Sequence, residues 1–368
     1  MIRVGLTEKH GMAVEQSQCA PDGVVYSFLT PTQLKPRVIR SPIKAYMRSY
    51  DMRDVDVVEA IISPLMTDRP WIYSCENLQA AAAFSLAGIP LPRSARVRFI
   101  RHLLMKTNCK KVVFWSRAGL ETLASYGGLD TRDDLFQKAT VVYPAVRRMP
   151  DHLVRFSDQD ITLLFSGDFF RKGGVNVVDA FERASRKYPN LRLILCCDDT
   201  SDFNSPNTAL RDEYLRKVHS LDRIEFLGRV PRKRMIEELL PRTDIYLLPT
   251  YAETFGMSIL EAMAFGIPVV ATNHFAIPEM VAHGECGFLI DIARWDTERL
   301  FKGYVVDILP TDFRSYVTER LFEYVCELAD SRDLRQRLGM AALSCARTRF
   351  SFEVRNAVMG KVYLEAVQ

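Results

Sequence analysis

The sequence predicts an α/β protein made of two Rossmann-like domains that a polar linker joins. Short apolar runs alternate with amphipathic helical patterns along most of the 368 residues, which is typical of parallel sheets covered by helices. Residues 147–160 interrupt this alternation, because they are polar and lack periodicity. The length is also sufficient for two hydrophobic cores. We therefore expect one domain over residues 1–150 and a second that begins at residue 151.

The composition is that of a globular protein without a membrane span. Hydrophobic residues make up 48% and charged residues 26% of the chain, and no run of eighteen apolar residues occurs. The first residues lack the apolar region of a signal peptide, so we expect a first strand there. The eight cysteines are scattered without a CxxC pair, which favours free thiols in a reducing cytoplasm. The six histidines show no spacing typical of metal ligands.

The amino-terminal half alternates predicted strands with predicted helices. The strands are expected at Ile2–Leu6, Val24–Leu29, Val57–Ile62, Trp71–Ser74, Lys111–Trp115 and Thr140–Tyr143. The helices are expected at Gln79–Leu86, Ala95–Lys106 and Gly119–Tyr126. No glycine-rich phosphate loop follows the first strand, so we expect the nucleotide site in the other half.

Positive charge is concentrated in the amino-terminal half. Residues 1–150 contain 21 Lys and Arg against 13 Asp and Glu, a net charge of +8, and the rest of the chain carries −4. The segment 93–111 holds seven of these cations and no acid. On a helix, Arg98, Arg101 and Lys106 share a face opposite an apolar stripe formed by Val97, Ile100, Leu103 and Leu104. Such a helix is a candidate surface for an anionic membrane or acceptor, and the alternative is an ordinary solvated face.

An acidic residue follows the predicted strand that begins at Trp71. Glu76 lies at the carboxyl end of that strand, the edge where a parallel sheet presents its ligands. We expect Glu76, or alternatively Glu59, to contact an acceptor hydroxyl or to act as a base. An acid that only favours the start of the next helix is the competing interpretation.

The second domain opens with a strand, a glycine-containing turn and a helix. The strand Ile161–Ser166 is followed by Gly167-Asp168-Phe169-Phe170-Arg171-Lys172-Gly173-Gly174. Glycine allows a close approach of the backbone to a ligand, and a lysine before a helix can neutralise a diphosphate. The turn therefore predicts a place for the phosphates of a nucleotide.

A second strand–loop–helix–strand unit lies between residues 244 and 271. The apolar run 244–249 predicts a buried strand, the loop that follows carries Glu253, and the helix after it carries Glu261. The amides at the start of this helix are suited to a diphosphate; they belong to Thr254, Phe255, Gly256 and Met257. Carboxylates would repel a phosphate, but each can accept hydrogen bonds from neighbouring hydroxyls. A diphosphate between two polyols is a sugar nucleotide, so we expect Glu253 to face the sugar and Glu261 to face the ribose.

The string PTYAETFGMSILEAMAFGIPVVAT, which contains both glutamates, resembles the signature of the retaining family-4 glycosyltransferases (glycosyl transferases group 1) of the GT-B fold. The resemblance covers residues 111–366 well and the first hundred poorly. It identifies Lys172 with the lysine of the phosphate site, and it places Gly167 and Val230 at the phosphate turn and the nucleobase. Asp168 stands where relatives often carry an arginine, so the second cation is open, with Arg171 as a candidate.

The resemblance implies two Rossmann-like domains that face a cleft, with a C-terminal helix, residues 350–368, that returns to the first domain. The donor would bind in residues 151–349 and the acceptor in residues 1–150. The implied reaction transfers a hexose from a UDP- or GDP-sugar to a hydroxyl of a saccharide or lipid-linked acceptor, with retention of configuration and without an essential metal or other cofactor. Surface polysaccharide or glycolipid synthesis, at the inner face of a membrane, is the expected setting.

Three alternatives to a transferase stay open from the sequence. A glycoside hydrolase would use the two glutamates as its carboxylate pair, but it would not need a diphosphate loop. A nucleotide-sugar epimerase would share the fold, although its catalytic acids and histidine are not recognisable here. A non-catalytic sugar-nucleotide-binding protein stays open as well, because Asp168 departs from the arginine of many relatives.

Overall fold

The protein is described by a computed structural model that covers residues 1–9, 11–32, 48–83, 85–86, 89–157, 159–200, 205–297, 306 and 308–368. The chain divides into two compact units. The first comprises Met1–Ala145 together with Phe350–Gln368, and the second comprises Val146–Arg349. None of the helices in these ranges combines the length and the hydropathy that a bilayer-spanning helix needs.

The first unit is built on a six-stranded parallel sheet. Its strands are β1 (Ile2–Leu6), β2 (Val24–Phe28), β5 (Val57–Ile61), β6 (Trp71–Cys75), β9 (Cys109–Phe114) and β10 (Ala139–Val141), and their order in the sheet is β10-β9-β6-β5-β1-β2. Two short antiparallel pairs form separate sheets, β3 (Pro31–Thr32) with β4 (Ser49–Tyr50) and β7 (Ser85–Leu86) with β8 (Ile89–Pro90). The helices are α1 (Gly11–Gln18), α2 (Leu78–Ala82), α3 (Arg93–Leu104), α4 (Arg117–Ser125) and α5 (Asp134–Lys138).

The second unit repeats this architecture around a second six-stranded sheet. The strands are β11 (Ile161–Ser166), β12 (Leu191–Cys196), β13 (Ile224–Phe226), β14 (Ile245–Leu248), β15 (Val269–Thr272) and β16 (Gly287–Ile290). Their order is β13-β12-β11-β14-β15-β16, again with every pair parallel. The helices are α6 (Gly174–Lys187), α7 (Thr208–Ser220), α8 (Met257–Ala264), α9 (Ile277–Met280), α10 (Thr311–Asp330) and α11 (Arg332–Arg349). A mixed helical segment spans residues 232–242, with Met235–Leu239 in the π-helical conformation.

The central strands are apolar along most of their length because helices cover both faces of each sheet. In β14, all four residues are buried, and the same holds for the five residues of β5 and of β6. The helix α3 buries one stripe, Val97, Ile100, Leu103 and Leu104, as its periodicity predicts.

The last helix, α12 (Phe352–Val367), belongs to the first unit and packs against β1, β5 and β9. Its buried residues recur at helical spacing and include the charged Arg355 and the phenol of Tyr363. The hydroxyl of Tyr363 donates to Glu59 at 2.6 Å, and the amide of Gln16 donates to the same carboxylate at 2.6 Å. The helix therefore docks on the first unit through polar as well as apolar contacts.

Several local predictions require correction. The helix that begins at Leu78 ends at Ala82 rather than at residue 86, because Ser85–Leu86 pair with Ile89–Pro90 as a short hairpin. The helix α3 ends at Leu104, so Lys106 follows this helix instead of lying on it. The strands predicted in the first half are all present, with ends shifted by at most two residues.

Candidate active site

The two loops predicted to bind the donor leave the sheet of the second unit at its topological switch point. Strands β11 and β14 are parallel neighbours, but β11 continues to β12 on one side and β14 continues to β15 on the other. The loops after two such strands separate and leave a crevice at their carboxyl ends, where open α/β sheets bind ligands. Residues 167–173 and 249–256 form these two loops.

The loop after β11 is a tight turn that glycines and an aspartate hold. Gly167 has φ +105° and Gly173 has φ +82°, which residues with a side chain rarely adopt. The side chain of Asp168 accepts a hydrogen bond from the amide of Arg171 at 2.9 Å and lies 3.7 Å from the Arg171 guanidinium. Asp168 thus closes the turn, and it also holds Arg171, the candidate for the second cation.

The loop after β14 is fastened to the first loop and ends at a helix N-terminus. The amide of Tyr251 donates to the carbonyl oxygen of Arg171 at 3.0 Å. Gly256, with φ +99°, precedes the first residue of α8. The amide of Thr254 donates to the side chain of Glu253 at 2.9 Å, so in this structure it serves the glutamate rather than a ligand. The side chain of Phe255 is buried. Phe255 can therefore contact a ligand only through its backbone, whereas Met257 is partly exposed.

Lys172 and Glu253 meet across the switch point as a nearly buried ion pair. The Lys172 ammonium contacts the Glu253 carboxylate, and the two side chains are only 13% and 12% exposed. Burial raises the pKa of Glu253, but the charge of Lys172, its hydrogen bond and the amide of Thr254 outweigh it, so this pKa lies below its ordinary value. The two residues that the sequence assigns to diphosphate and sugar are therefore direct neighbours.

Glu261 faces a pocket of about 240 Å³ whose lining includes Gly167, Val230 and Tyr246. It lies in the second turn of α8, and Arg232 donates from its Nε to the Glu261 carboxylate at 2.7 Å. The hydroxyl groups of Tyr246 and Ser166 are 2.7 Å apart at the junction of β14 and β11. Burial raises the pKa of the Tyr246 phenol, so it stays protonated. Gly167, Val230 and Glu261 thus line the same pocket, and their contact with a nucleotide stays a prediction.

The predicted acidic candidates of the first unit lie in different environments. Glu76 follows β6 and is half-buried, just before Asn77, which caps α2 by accepting the amide of Ala80. Glu59 is fully buried inside β5, where it accepts hydrogen bonds from Gln16 and Tyr363. A direct contact of Glu59 with an acceptor is therefore wrong, whereas the role of Glu76 stays a prediction.

The predicted basic surface is only partly available to an anionic partner. Arg98 is exposed on α3 and Lys106 is exposed after this helix. Arg101, however, pairs with Asp133 at 2.9 Å, so much of its charge is already matched. A membrane or acceptor role of this surface stays a prediction. Across the part of the chain that the structure describes, no group of three or more His, Cys, Asp or Glu residues is arranged to hold a metal ion.

Residues 153–299 match the family model described as Glycosyl transferases group 1. Among curated relatives, the N-acetyl-alpha-D-glucosaminyl L-malate synthase of Bacillus anthracis is 38% identical over 80 residues, which are 22% of this chain and 20% of the relative. The D-inositol 3-phosphate glycosyltransferase of Corynebacterium glutamicum is 27% identical over 181 residues, 48% of this chain and 36% of the relative. The matched regions thus span well under half the length of these two relatives.

Solved structures resemble the whole chain. Anabaena Alr3699/HepE in complex with UDP and glucose aligns with a TM-score of 0.66 and 16% identity, over 98% of this chain and 99% of that one. The sucrose-phosphate synthase of Thermosynechococcus elongatus aligns with a TM-score of 0.63 and 15% identity, over 99% and 98%. At this identity the likeness establishes the fold, which is GT-B as the sequence predicts.

The fold is GT-B, and the matched segment lies in the second unit, which carries both loops described above. Over residues 153–299, the chain is similar to the group 1 glycosyltransferases, whose family model this segment matches. Sequence reasoning missed Arg232, which follows Gly228 and Pro231 in a polar turn. Its partner Glu261 lies in the recognised motif, but Arg232 does not. No sequence pattern therefore distinguishes this arginine from the basic residues near it.

Proposed function

We propose that the protein is a retaining hexosyltransferase that uses a UDP- or GDP-sugar and transfers the sugar to a hydroxyl of a saccharide or lipid-linked acceptor. The observation that carries this proposal is the Lys172–Glu253 pair at the switch point, between the glycine turn after β11 and the N-terminus of α8. UDP is the first donor to test, because structural neighbours such as Alr3699/HepE bind it.

The loops supply the electrostatics that departure of a nucleoside diphosphate requires. Lys172 and the first amides of α8 offer positive charge to the diphosphate as the bond between the anomeric carbon and its oxygen breaks. The acceptor oxygen bonds to the anomeric carbon from the same face, and its proton passes to the departing diphosphate. No essential metal takes part in this proposal, since Lys172 and the helix N-terminus provide the cationic environment.

Donor binding changes the partners of Glu253. A diphosphate at the glycine turn attracts the ammonium of Lys172, which in the free protein contacts Glu253. The Glu253 carboxylate then accepts hydrogen bonds from the sugar hydroxyls in place of the ammonium. Glu76 is proposed to contact the acceptor hydroxyl from the carboxyl end of β6.

Calorimetric titration with UDP and GDP, each with EDTA, tests the donor site, and turnover of the matching nucleotide sugars tests the reaction. We expect Glu253→Gln to lose most turnover while it keeps the affinity for the free nucleoside diphosphate. Glu285→Gln, at an exposed position of the same unit, is the matched control. Glu76→Gln should lower turnover with no effect on donor affinity.

The stereochemistry of the product decides between this proposal and its competitors. Nuclear magnetic resonance of the product should show the anomeric configuration of the donor, and inversion would refute retention. Formation of an epimeric sugar nucleotide without acceptor would identify an epimerase. Donor binding without any turnover would identify a non-catalytic binding protein.

We also propose that the exposed cations at α3 bring the enzyme to the inner face of a membrane and to lipid-linked acceptors in glycolipid or surface polysaccharide synthesis. Each Lys or Arg near an anionic surface contributes about 1 kcal/mol. Replacing Arg98 and Lys106 by Gln should therefore weaken binding to phosphatidylserine vesicles about 30-fold. The control replaces Arg192 and Lys233, exposed cations of the second unit. Equal binding of both double variants would refute this role.

A further inference from the structure

Arg232 occupies a place in the second unit that none of the predicted motifs explains. It follows β13 and the turn at Gly228, and it starts the mixed helical segment that continues into π-helical residues Met235–Leu239. Stretches of π-helix are rare and occur frequently at functional sites. Met235 and Arg232 both line the pocket that contains Glu261. The segment therefore shapes one wall of the proposed nucleoside pocket.

The contact between Arg232 and Glu261 is short, and the two side chains differ in their exposure to solvent. The Nε of Arg232 lies 2.7 Å from the Oε1 of Glu261, and the side chains are 38% and 11% exposed. A carboxylate this far from water is costly unless a cation or several donors compensate its charge. Arg232, the more exposed of the two side chains, contributes to that compensation.

The contact with Arg232 also directs the Glu261 carboxylate toward the pocket. The neighbours of Glu261 on α8, Leu260 and Ala262, are fully buried, so the carboxylate lies at the edge of an apolar core. Arg232 comes from a different element, 29 residues away in sequence, and draws the carboxylate toward the pocket that Gly167 and Val230 also line. Removal of Arg232 would therefore remove a contact that directs the carboxylate into this pocket.

We propose that Arg232 is a positioning residue for the nucleoside: it holds the Glu261 carboxylate directed into the pocket, where Glu261 accepts hydrogen bonds from the ribose 2′- and 3′-hydroxyls. The inference rests on the proposed function, since it presumes that a nucleoside diphosphate binds here. It adds a residue from outside the strand–loop–helix motif to the donor site. It also gives Arg232 a role distinct from that of Lys172, which faces the diphosphate.

The test compares ligands that differ only in the ribose. The affinities of UDP and of 2′,3′-dideoxy-UDP, or of the GDP pair if GDP binds better, are measured by calorimetry for the wild type, Arg232→Gln, Arg232→Lys and Glu261→Gln. The control is Arg234→Gln, because Arg234 lies in the same segment and pairs through its Nε with Glu238 at 2.9 Å on the exposed side.

We expect Arg232→Gln to weaken binding of the ribonucleotide about tenfold or more, the size of a lost hydrogen bond to a charged group. The dideoxy analogue should lose much less, and Arg232→Lys should recover part of the affinity. In a Glu261→Gln background, Arg232→Gln should cost almost nothing further, since both changes remove the same interaction. In turnover assays the donor KM should rise while kcat changes little.

Other outcomes would overturn the inference in recognisable ways. Equal losses for the ribonucleotide and the dideoxy analogue would show that Arg232 serves the phosphates. Unchanged affinity in Arg232→Gln would show that the pair is structural only. If Arg232→Gln fails to fold, the affinities of Arg232→Lys and Glu261→Gln for the two ligands still decide the matter. If Glu261 contacts the ribose, Glu261→Gln should weaken binding of the ribonucleotide more than binding of the dideoxy analogue. Failure of the wild type to bind either nucleotide would instead refute the proposed function itself.

Discussion

Replacing Lys172 by Met should destabilise the second unit in a manner that depends on pH. The substitution keeps the length of the side chain and removes the ammonium that contacts Glu253. The carboxylate would then be 12% exposed without its cation. Because removal of one partner leaves an uncompensated charge, a broken buried ion pair costs about 3–5 kcal/mol, and we take about 3 kcal/mol since some exposure remains. For a unit of this size, that corresponds to a fall in Tm of about 6–12 °C.

The direction of the pH dependence follows from the pKa of Glu253. In the wild type this pKa lies below its ordinary value, so the pair stabilises the fold above the unfolded-state pKa, about 4.3, and the stabilisation is lost as the pH falls through the folded-state pKa. Without Lys172, burial would dominate and raise the pKa of Glu253, which lowers stability at neutral pH. The difference between wild type and variant should therefore be largest near pH 7 and shrink as the pH approaches 4.

Thermal unfolding between pH 4 and pH 8, followed by circular dichroism, measures both effects. The double variant Lys172→Met with Glu253→Gln removes the uncompensated charge, and we expect it to be more stable at neutral pH than Lys172→Met alone. A loss of stability that is independent of pH, or a double variant no better than the single one, would refute the idea that these two side chains form a buried ion pair.

Two further predictions concern stability and are measured by denaturant unfolding. Arg355→Met should destabilise the first unit by about 3 kcal/mol, because it leaves Glu59 buried without the cation 3.8 Å away. A change in the free energy of unfolding below one tenth of that value would contradict a stabilising role of this ion pair. Gly173→Ala should cost at least about 2 kcal/mol, since φ is +82° and its Cβ would lie 2.1 Å from the carbonyl oxygen of Pro249. Gly284→Ala is its control, with φ +76° and no atom within 4 Å of the added Cβ, and it should cost only about 1 kcal/mol.

The fold class could be predicted because local hydrophobic patterns indicate the strands of both sheets. Apolar runs mark the central strands, and the stripe of α3 is buried at the four predicted positions. The fold as a whole is confirmed by the two parallel sheets and by the GT-B neighbours. These features depend on short-range periodicity, which a single sequence displays directly.

Elements whose burial depends on distant partners could not be predicted in the same way. The helix α1 has the polar sequence GMAVEQSQ and buries Gln16. No hydrophobic pattern in the sequence predicts that burial. Gln16 is buried because it donates to Glu59, 43 residues away, and because Tyr363 shares that carboxylate. Arg232 presents the same difficulty, since its partner Glu261 is brought close only by the order of strands in the sheet.

Two buried glutamates with a cation nearby show how structure separates a structural acid from a candidate functional one. Glu59 lies in the middle of a strand, and its partners come from α1 and α12, so a ligand could reach it only if these helices separated. Glu253 lies in a loop at the carboxyl edge of its sheet, and its cation extends from the turn after β11. On the proposed function, a diphosphate at the glycine turn would compete with Glu253 for Lys172. The pair of the first unit is enclosed by helices, whereas the pair of the second unit lies at the carboxyl ends of two neighbouring strands, which is where open α/β sheets bind ligands.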